Sequence, residues 1–167
     1  MKAETLEEIL AQVESGLDNP HVGLPEPLFR FISRLTPLVN VDLLIQDGSG
    51  RTLLAWRDDP LAGKGWHLPG GIVRFQERLL DRVAQVALSE VGEPVTVDPH
   101  PLAMHEIIDP AKTTRGHFIS VLYRCHPSQG FVPDNGARQS HDPGFLSWFA
   151  GCPDDLLRWH EIYRSYL

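Results

Sequence analysis

The stretch Trp66-His67-Leu68-Pro69-Gly70-Gly71, with the segment after it up to Gly92, constrains this chain more than any other. Pro69 and the two glycines break whatever precedes them, helix-compatible residues follow, and Gly92 and Pro94 stop the run. The pattern predicts a helix over residues 77–91. On a helical wheel Leu79, Leu80, Val83, Ala84, Val86, Ala87 and Val91 share one side, and Arg78, Asp81, Arg82, Gln85 and Ser89 the other. Glu90 breaks the sorting, falling between Leu79 and Val83 inside the apolar stripe. A carboxylate facing a core is costly unless it has a partner. Glu90 therefore tilts to solvent at the helix end, pairs with an arginine, or binds a cation. The Gly70-Gly71 turn favours the last, because it supplies backbone carbonyls close to where the helix packs. One carboxylate with one or two carbonyl oxygens is a donor set that Mg²⁺ accepts while keeping waters and phosphate oxygens.

With 167 residues the chain is expected to form one domain with one core. Its 42% hydrophobic and 22% charged residues are ordinary globular composition. A formal charge of −7 argues against nucleic acid as a partner, and it means that an anionic substrate needs local arginines or a cation to invert the field. Cys125 and Cys152 have no metal-ligand spacing and read as packed thiols of a reducing compartment. No apolar run reaches membrane-spanning length, and the acidic start is unlike a signal peptide; a cytoplasmic protein without a membrane partner is the expectation.

Residues 5–16 predict an amphipathic helix with Leu6, Ile9, Leu10 and Val13 on one face, which should pack on its own domain or on a second subunit. A Pro- and Gly-bearing linker over 19–27 and a short helix over 27–35 follow. Strands are expected at 39–46 and 51–56, joined by the hairpin turn Asp47-Gly48-Ser49-Gly50. Residues 58–64 read as a loop, and 66–68 and 72–75 as short strands around the glycine turn. After the helix, 95–108 is extended but interrupted by Pro99 and Pro101. A polar loop over 110–116 carries Lys112 and Arg115. Residues 117–125 form a strong strand, 127–143 a long loop of functional or mobile character, 145–149 a short strand, and 153–167 a closing helix. Strands and helices mix without strict alternation, which gives an α/β or α+β fold.

The segment from Gly71 to Gly92 resembles a degenerate Nudix box. That family's pattern is a glycine, a glutamate, then Arg-Glu-apolar-x-Glu-Glu-x-Gly. The chain keeps Gly71, Glu77, Ala87, Glu90 and Gly92. Gln85, Val86 and Ser89 stand where the arginine and the first two glutamates of the trio belong. Leu68-Pro69-Gly70-Gly71 is typical of the family. The chain is further similar to the GDP-mannose mannosyl hydrolase branch, which also lacks the first glutamate of the trio and keeps the last. The shared run is Thr36-Pro37-Leu38-Val39, Asp42, Leu53-Leu54, Arg57, Trp66 and Pro69-Gly70-Gly71. The resemblance covers residues 29–148 and implies the Nudix fold, a mixed β-sheet sandwiched between helices. It implies a Nudix domain over 25–167 preceded by a helical extension and linker over 1–24.

The resemblance also implies roles. His141, in Ser140-His141-Asp142, matches the general base, an imidazole able to take a proton from water near neutral pH. Arg57 matches an arginine on the diphosphate. Asp42 matches a nucleotide contact, Phe29 a base-stacking ring and His117 a residue lining the site. A Mg²⁺ ion, with Mn²⁺ able to substitute, is held by Glu90 and the Gly70 carbonyl, with Ser140 in place of a metal-holding glutamine. Without the resemblance, a loop histidine is usually solvent-exposed, Arg57 a strand-end surface arginine, and Phe29 and His117 core residues. Ile72 stands where the branch has an arginine assisting the leaving diphosphate, and Arg74, Arg115 and Arg138 are the arginines able to compensate in space. The leading expectation is hydrolysis of a nucleoside-diphosphate sugar, with water attacking the sugar C1, by a homodimer. The alternatives are a Nudix pyrophosphatase cleaving a P–O bond of another nucleotide, and a nucleotide-binding module without turnover.

Overall fold

The computed structural model describes residues 4–60 and 62–167. Residues 1–3 of the expected extension and Leu61 of the expected 58–64 loop lie outside the described residues. The elements are α1 (Leu6–Ser15), α2 (Glu26–Ile32), β1 (Leu38–Ile45), β2 (Thr52–Asp59), β3 (Gly63–His67), β4 (Gly70–Ile72) and α3 (Leu79–Val86). A π-helical turn (Ala87–Val91), β5 (Thr96–Val97), β6 (Ala103–Ile108), β7 (His117–His126), β8 (Leu146–Phe149) and a 3₁₀ segment (Arg158–Tyr166) follow.

Two sheets build the domain. In the larger, β7 pairs parallel with β1, from Leu38↔Phe118 to Ile45↔Cys125. Along its other edge β7 pairs antiparallel with β6 and, further on, with β5. The break between those two strands holds Pro99 and Pro101, which have no amide for the ladder. β4 closes the far edge against β1. The smaller sheet has the order β3-β2-β8. The apolar runs of β1 and β2 are buried on both faces, as expected of strands covered on both sides. Val41, Leu43, Ile45, Leu53 and Ala55 meet Val83, Val86, Ala87 and Val91 in one core cluster. Leu44, Leu54 and Trp56 meet Trp66, Leu122, Leu156 and Tyr163 in another. The α+β class and the mixed sheet architecture are therefore as expected.

Several elements differ from the sequence reading. The Asp47 turn is tight, its carboxylate accepting from the Ser49 and Arg51 amides. Its two strands nevertheless pair only at Gln46↔Thr52 and then enter different sheets. Much of the expected 58–64 loop is strand, because Asp58↔Lys64 and Asp59↔Gly63 extend the β2–β3 ladder and an Asp58–Lys64 ion pair at 3.1 Å crosses it. β4 stops at Ile72 instead of running to 75; only the Val73 amide continues, to the Val39 carbonyl. α3 begins at Leu79, after Glu77 has folded back onto the Arg82 guanidinium and the Arg74 amide.

The closing helix is a 3₁₀ segment from Arg158. Residues 155–157 cross β3 extended, with the Trp66 amide on the Asp155 carbonyl and the Leu157 amide on the Trp66 carbonyl. The α1 helix forms with a capping box of Thr5 and Glu8. Its apolar face does not pack on its own domain: Leu6 is 72% exposed, and Ile9, Leu10 and Val13 are exposed too. The linker does dock, through His21, whose Nδ1 hydrogen-bonds the Phe75 carbonyl.

Candidate active site

The glycine turn ends on a sheet edge. The Leu43 amide donates to the Pro69 carbonyl at 2.9 Å and the Val73 amide to the Val39 carbonyl at 3.0 Å. Those bonds fix the hydrogen-bonded positions of the β1–β4 ladder, so Asp42↔Gly70 is a non-bonded pair whose Gly70 N–H and C=O point off the edge. The Gly70 N–H there donates to Glu90 Oε2 at 3.4 Å. A Cβ at Gly70 would collide with Asp42 Oδ1, and one at Gly71 would sit 2.8 Å from Val86 Cγ2. The two glycines thus let a buried carboxylate and a helix close in on one short strand.

Glu90 lies on the π-helical turn, which ends with the Gly92 amide bonded to the Ala87 carbonyl, five residues back. Such turns recur at functional sites because they re-aim a side chain. Burial raises the Glu90 carboxyl to about 7, against the lowering effects of Arg57 and the Gly70 amide; Asp42 adds to the rise. His67, buried on β3, brings Nε2 to 4.0 Å from Glu90 Oε2. Burial, then the charge of Arg57, hold its imidazole well below the usual range, so it is neutral. The donors fit one hard cation: a desolvated carboxylate beside an outward carbonyl. Among the described residues no three His, Cys, Asp or Glu side chains converge to hold a metal, so the other ligands would be waters and substrate oxygens.

Two clefts meet at Arg57 and His67. One is lined by Asn40, Asp42, Lys112, Arg115, Phe118 and Trp159, among others. The other holds Glu90, Ser89, Asp134 and Arg138. Arg57 is half-buried, 3.4 Å from Asp59. Asp42 is buried and accepts hydrogen bonds from the Ser120 hydroxyl and, at 2.6 Å, from Tyr163. Burial, and then Asp42, push the Tyr163 phenol above its usual range. His160 accepts the Leu68 amide on Nδ1 at 3.2 Å.

Of the residues expected at the site, Arg57, Asp42, Gly70 and Glu90 converge. Phe29 is half-buried on α2 and reaches the cleft only through Arg115, whose guanidinium lies 5.8 Å from its ring centre. His117 points to Glu106, 3.4 Å away. His141 and Ser140 do not join the group. His141 sits edge-on to the Trp56 ring, 4.3 Å between centres, with Nε2 3.9 Å from Asp155, and its Nδ1 is 3.2 Å from the Ser140 hydroxyl. Trp56 and Arg57 are adjacent in β2 and face opposite sides, so His141 packs on the side of the sheet away from Arg57. The cause lies in the loop: Gly144 donates to the Trp56 carbonyl and Phe145 accepts from the Trp56 amide, tying the chain after His141 to that strand. Glu77 is structural, its carboxylate 2.8 Å from Arg82.

Residues that the sequence reading missed are His67, Ser120, His160 and Tyr163. His67 was legible from strand alternation, since it pairs with Ala55 and so shares a side with Arg57. His160, Tyr163 and Tyr166 stand at an interval of three, which stacks them along one face of the 3₁₀ segment.

No family model matches the chain. The low-salt glycan biosynthesis protein Agl8 of Haloferax volcanii is 35% identical over 89 residues, 53% of this chain. The match spans little more than half of that relative, 56% of its length. A MutT-like protein of Streptomyces ambofaciens is 29% identical over 130 residues, 77% of this chain and 73% of that protein. The crystal structure of a MutT NUDIX hydrolase from Burkholderia pseudomallei superposes with a TM-score of 0.60 at 25% identity, over 79% of this chain and 98% of that one. Sheet order, the helix seated on the glycine turn and these likenesses agree: the chain has the Nudix hydrolase fold.

Proposed function

We propose that the chain is a divalent-cation-dependent hydrolase of a nucleoside-diphosphate derivative, with a GDP-mannose-like nucleotide sugar as the leading substrate. The observation that carries this reading is Glu90 on its π-helical turn, beside the outward Gly70 edge and within the electrostatic reach of Arg57. The name of the Haloferax relative, a glycan biosynthesis protein, supports a sugar-bearing substrate. We assign the activity to residues 25–167, with 1–24 as an extension.

Glu90 and the Gly70 carbonyl would hold the cation, Mg²⁺ or Mn²⁺, which when bound neutralises charge on the diphosphate. Arg57 grips the phosphate oxygens through charge-assisted hydrogen bonds. Water attacks the sugar C1, the C1–O bond to phosphate breaks, and the diphosphate leaves with the bridging oxygen. The proton of the attacking water needs an acceptor. His67 lines both clefts as a neutral imidazole beside Glu90, whereas His141 lies against Trp56; His67 is therefore the acceptor we assign.

A second reading, nucleotide binding without turnover, is favoured by the apolar Ile72 lining the cleft and by Glu77 being engaged with Arg82. The test is incubation with nucleotide sugars and dinucleotides in ¹⁸O water with Mg²⁺ or Mn²⁺. Label is expected in the sugar. Label in a phosphate means attack at phosphorus and overturns the mechanism, and tight binding without turnover favours the second reading.

A further inference from the structure

Resting on the nucleotide reading, we propose that Arg115 is a substrate-binding residue that clamps the diphosphate together with Arg57, supplying the cation that Ile72 withholds from the glycine turn. Arg57, Ile72 and Arg115 line the same cleft, so an apolar side chain at 72 faces a guanidinium brought in from a different element.

The loop between β6 and β7 is built to hold that guanidinium in place. The Asp109 amide donates to the Gly116 carbonyl at 2.8 Å and the Lys112 amide to the Asp109 carbonyl at 3.0 Å, closing the loop. The Arg115 amide donates to Ser33 Oγ at 3.3 Å, which ties the loop to the end of α2. Arg115 has φ 55°, a left-handed backbone rare for a residue with a side chain, which the surrounding contacts must maintain. Its guanidinium lies 5.8 Å from the Phe29 ring centre and 5.9 Å from that of Phe118.

Two arginines sharing one partly desolvated cleft repel each other. Burial and then the charge of Arg57 lower the Arg115 pKa; Asp59, 3.4 Å from Arg57, opposes the shift without reversing it, so the cleft keeps an excess of positive charge for an anion. A diphosphate relieves that repulsion, and guanidinium forks match its oxygens. The rings of Phe118 and Trp159 line the same cleft and give a flat base an apolar surface, while Asn40 and Asp42 supply polar atoms beside it. A nucleoside diphosphate meets each of these chemistries at once.

The test is calorimetric titration of the full chain with inorganic pyrophosphate, GDP and guanosine, for the wild type, Arg115→Gln and Arg115→Lys, with melting temperatures taken in parallel. Losing a charge-assisted contact predicts a roughly ten- to hundredfold weaker affinity for pyrophosphate and GDP in Arg115→Gln, with guanosine unchanged. Arg115→Lys, which keeps the charge and loses the fork, should fall between. Pyrophosphate and GDP affinities within twofold of wild type in a folded Arg115→Gln protein overturn the clamp and leave the nucleotide reading standing. Arginine-dependent pyrophosphate binding without GDP binding keeps the clamp and overturns the nucleotide reading. A wild type that binds neither overturns both.

Discussion

Glu90 carries the most chemical information of any residue in the chain. Its carboxyl is raised from 4.5 to about 7 in the fold, so folding favours the protonated form. The resulting stability is fully present below pH 4.5 and is lost as pH rises through about 7. His67 and His160 act in the opposite sense: burial lowers both, so their contribution is fully present above 6.5 and is lost as pH falls from there through their lower folded values. The quantity to measure is therefore the difference in melting temperature between Glu90→Gln and wild type, in chelator, from pH 4 to 9. It should grow in favour of the variant between pH 5 and 7 and then level off; a flat difference would mean that Glu90 is solvated. His141 gives a second residue-scale test. It has φ 72°, a conformation that asparagine tolerates. With His141 off the site, His141→Asn should leave turnover within about twofold, while His67→Gln should lower it by about 10²–10⁴. The reverse ranking would restore His141 as the base.

At the scale of elements, the glycine turn, β4 and α3 act as one unit. Gly71→Ala puts a methyl 2.8 Å from Val86 Cγ2, in a buried contact with no slack. The expected cost is about 1–3 kcal/mol of stability, with weaker Mg²⁺ binding because α3 carries the turn that aims Glu90. Unchanged unfolding and unchanged metal affinity would show that β4 and α3 move independently. The strands and this helix were legible because strand pattern and glycine spacing are local. The π-helical turn was not: an extra residue per turn leaves no mark in a wheel drawn at the ideal angle. Glu90 was still identified, because an acid inside an apolar stripe needs explaining whatever the pitch. The 3₁₀ segment was missed for a related reason, since Leu156 and Leu157 read as a helix face but are buried by an extended crossing of β3.

At the scale of the whole molecule, sequence gave the fold through a half-preserved motif, and it failed where long-range placement decides. Arg57 and Asp42 met Glu90 because the ladder registers put them there, whereas the 127–143 loop carried His141 to the other side of β2. The exposed face of α1 is also a property of the whole molecule. No residue of α1 is buried, so deleting residues 1–15 should leave the melting temperature of the remaining chain unchanged. A fall of several degrees would mean that a second copy covers that face in solution, as expected of a homodimer. Among the described residues no helix is long and apolar enough to cross a membrane. The central claim is that one cation held by Glu90 drives hydrolysis of a nucleoside-diphosphate derivative. Its most direct test is turnover of GDP-mannose at saturating Mg²⁺ by wild type and Glu90→Gln. The account predicts measurable turnover by the wild type and a loss of about 10²-fold or more in the variant. Equal turnover by the two proteins, or none by the wild type, would contradict it.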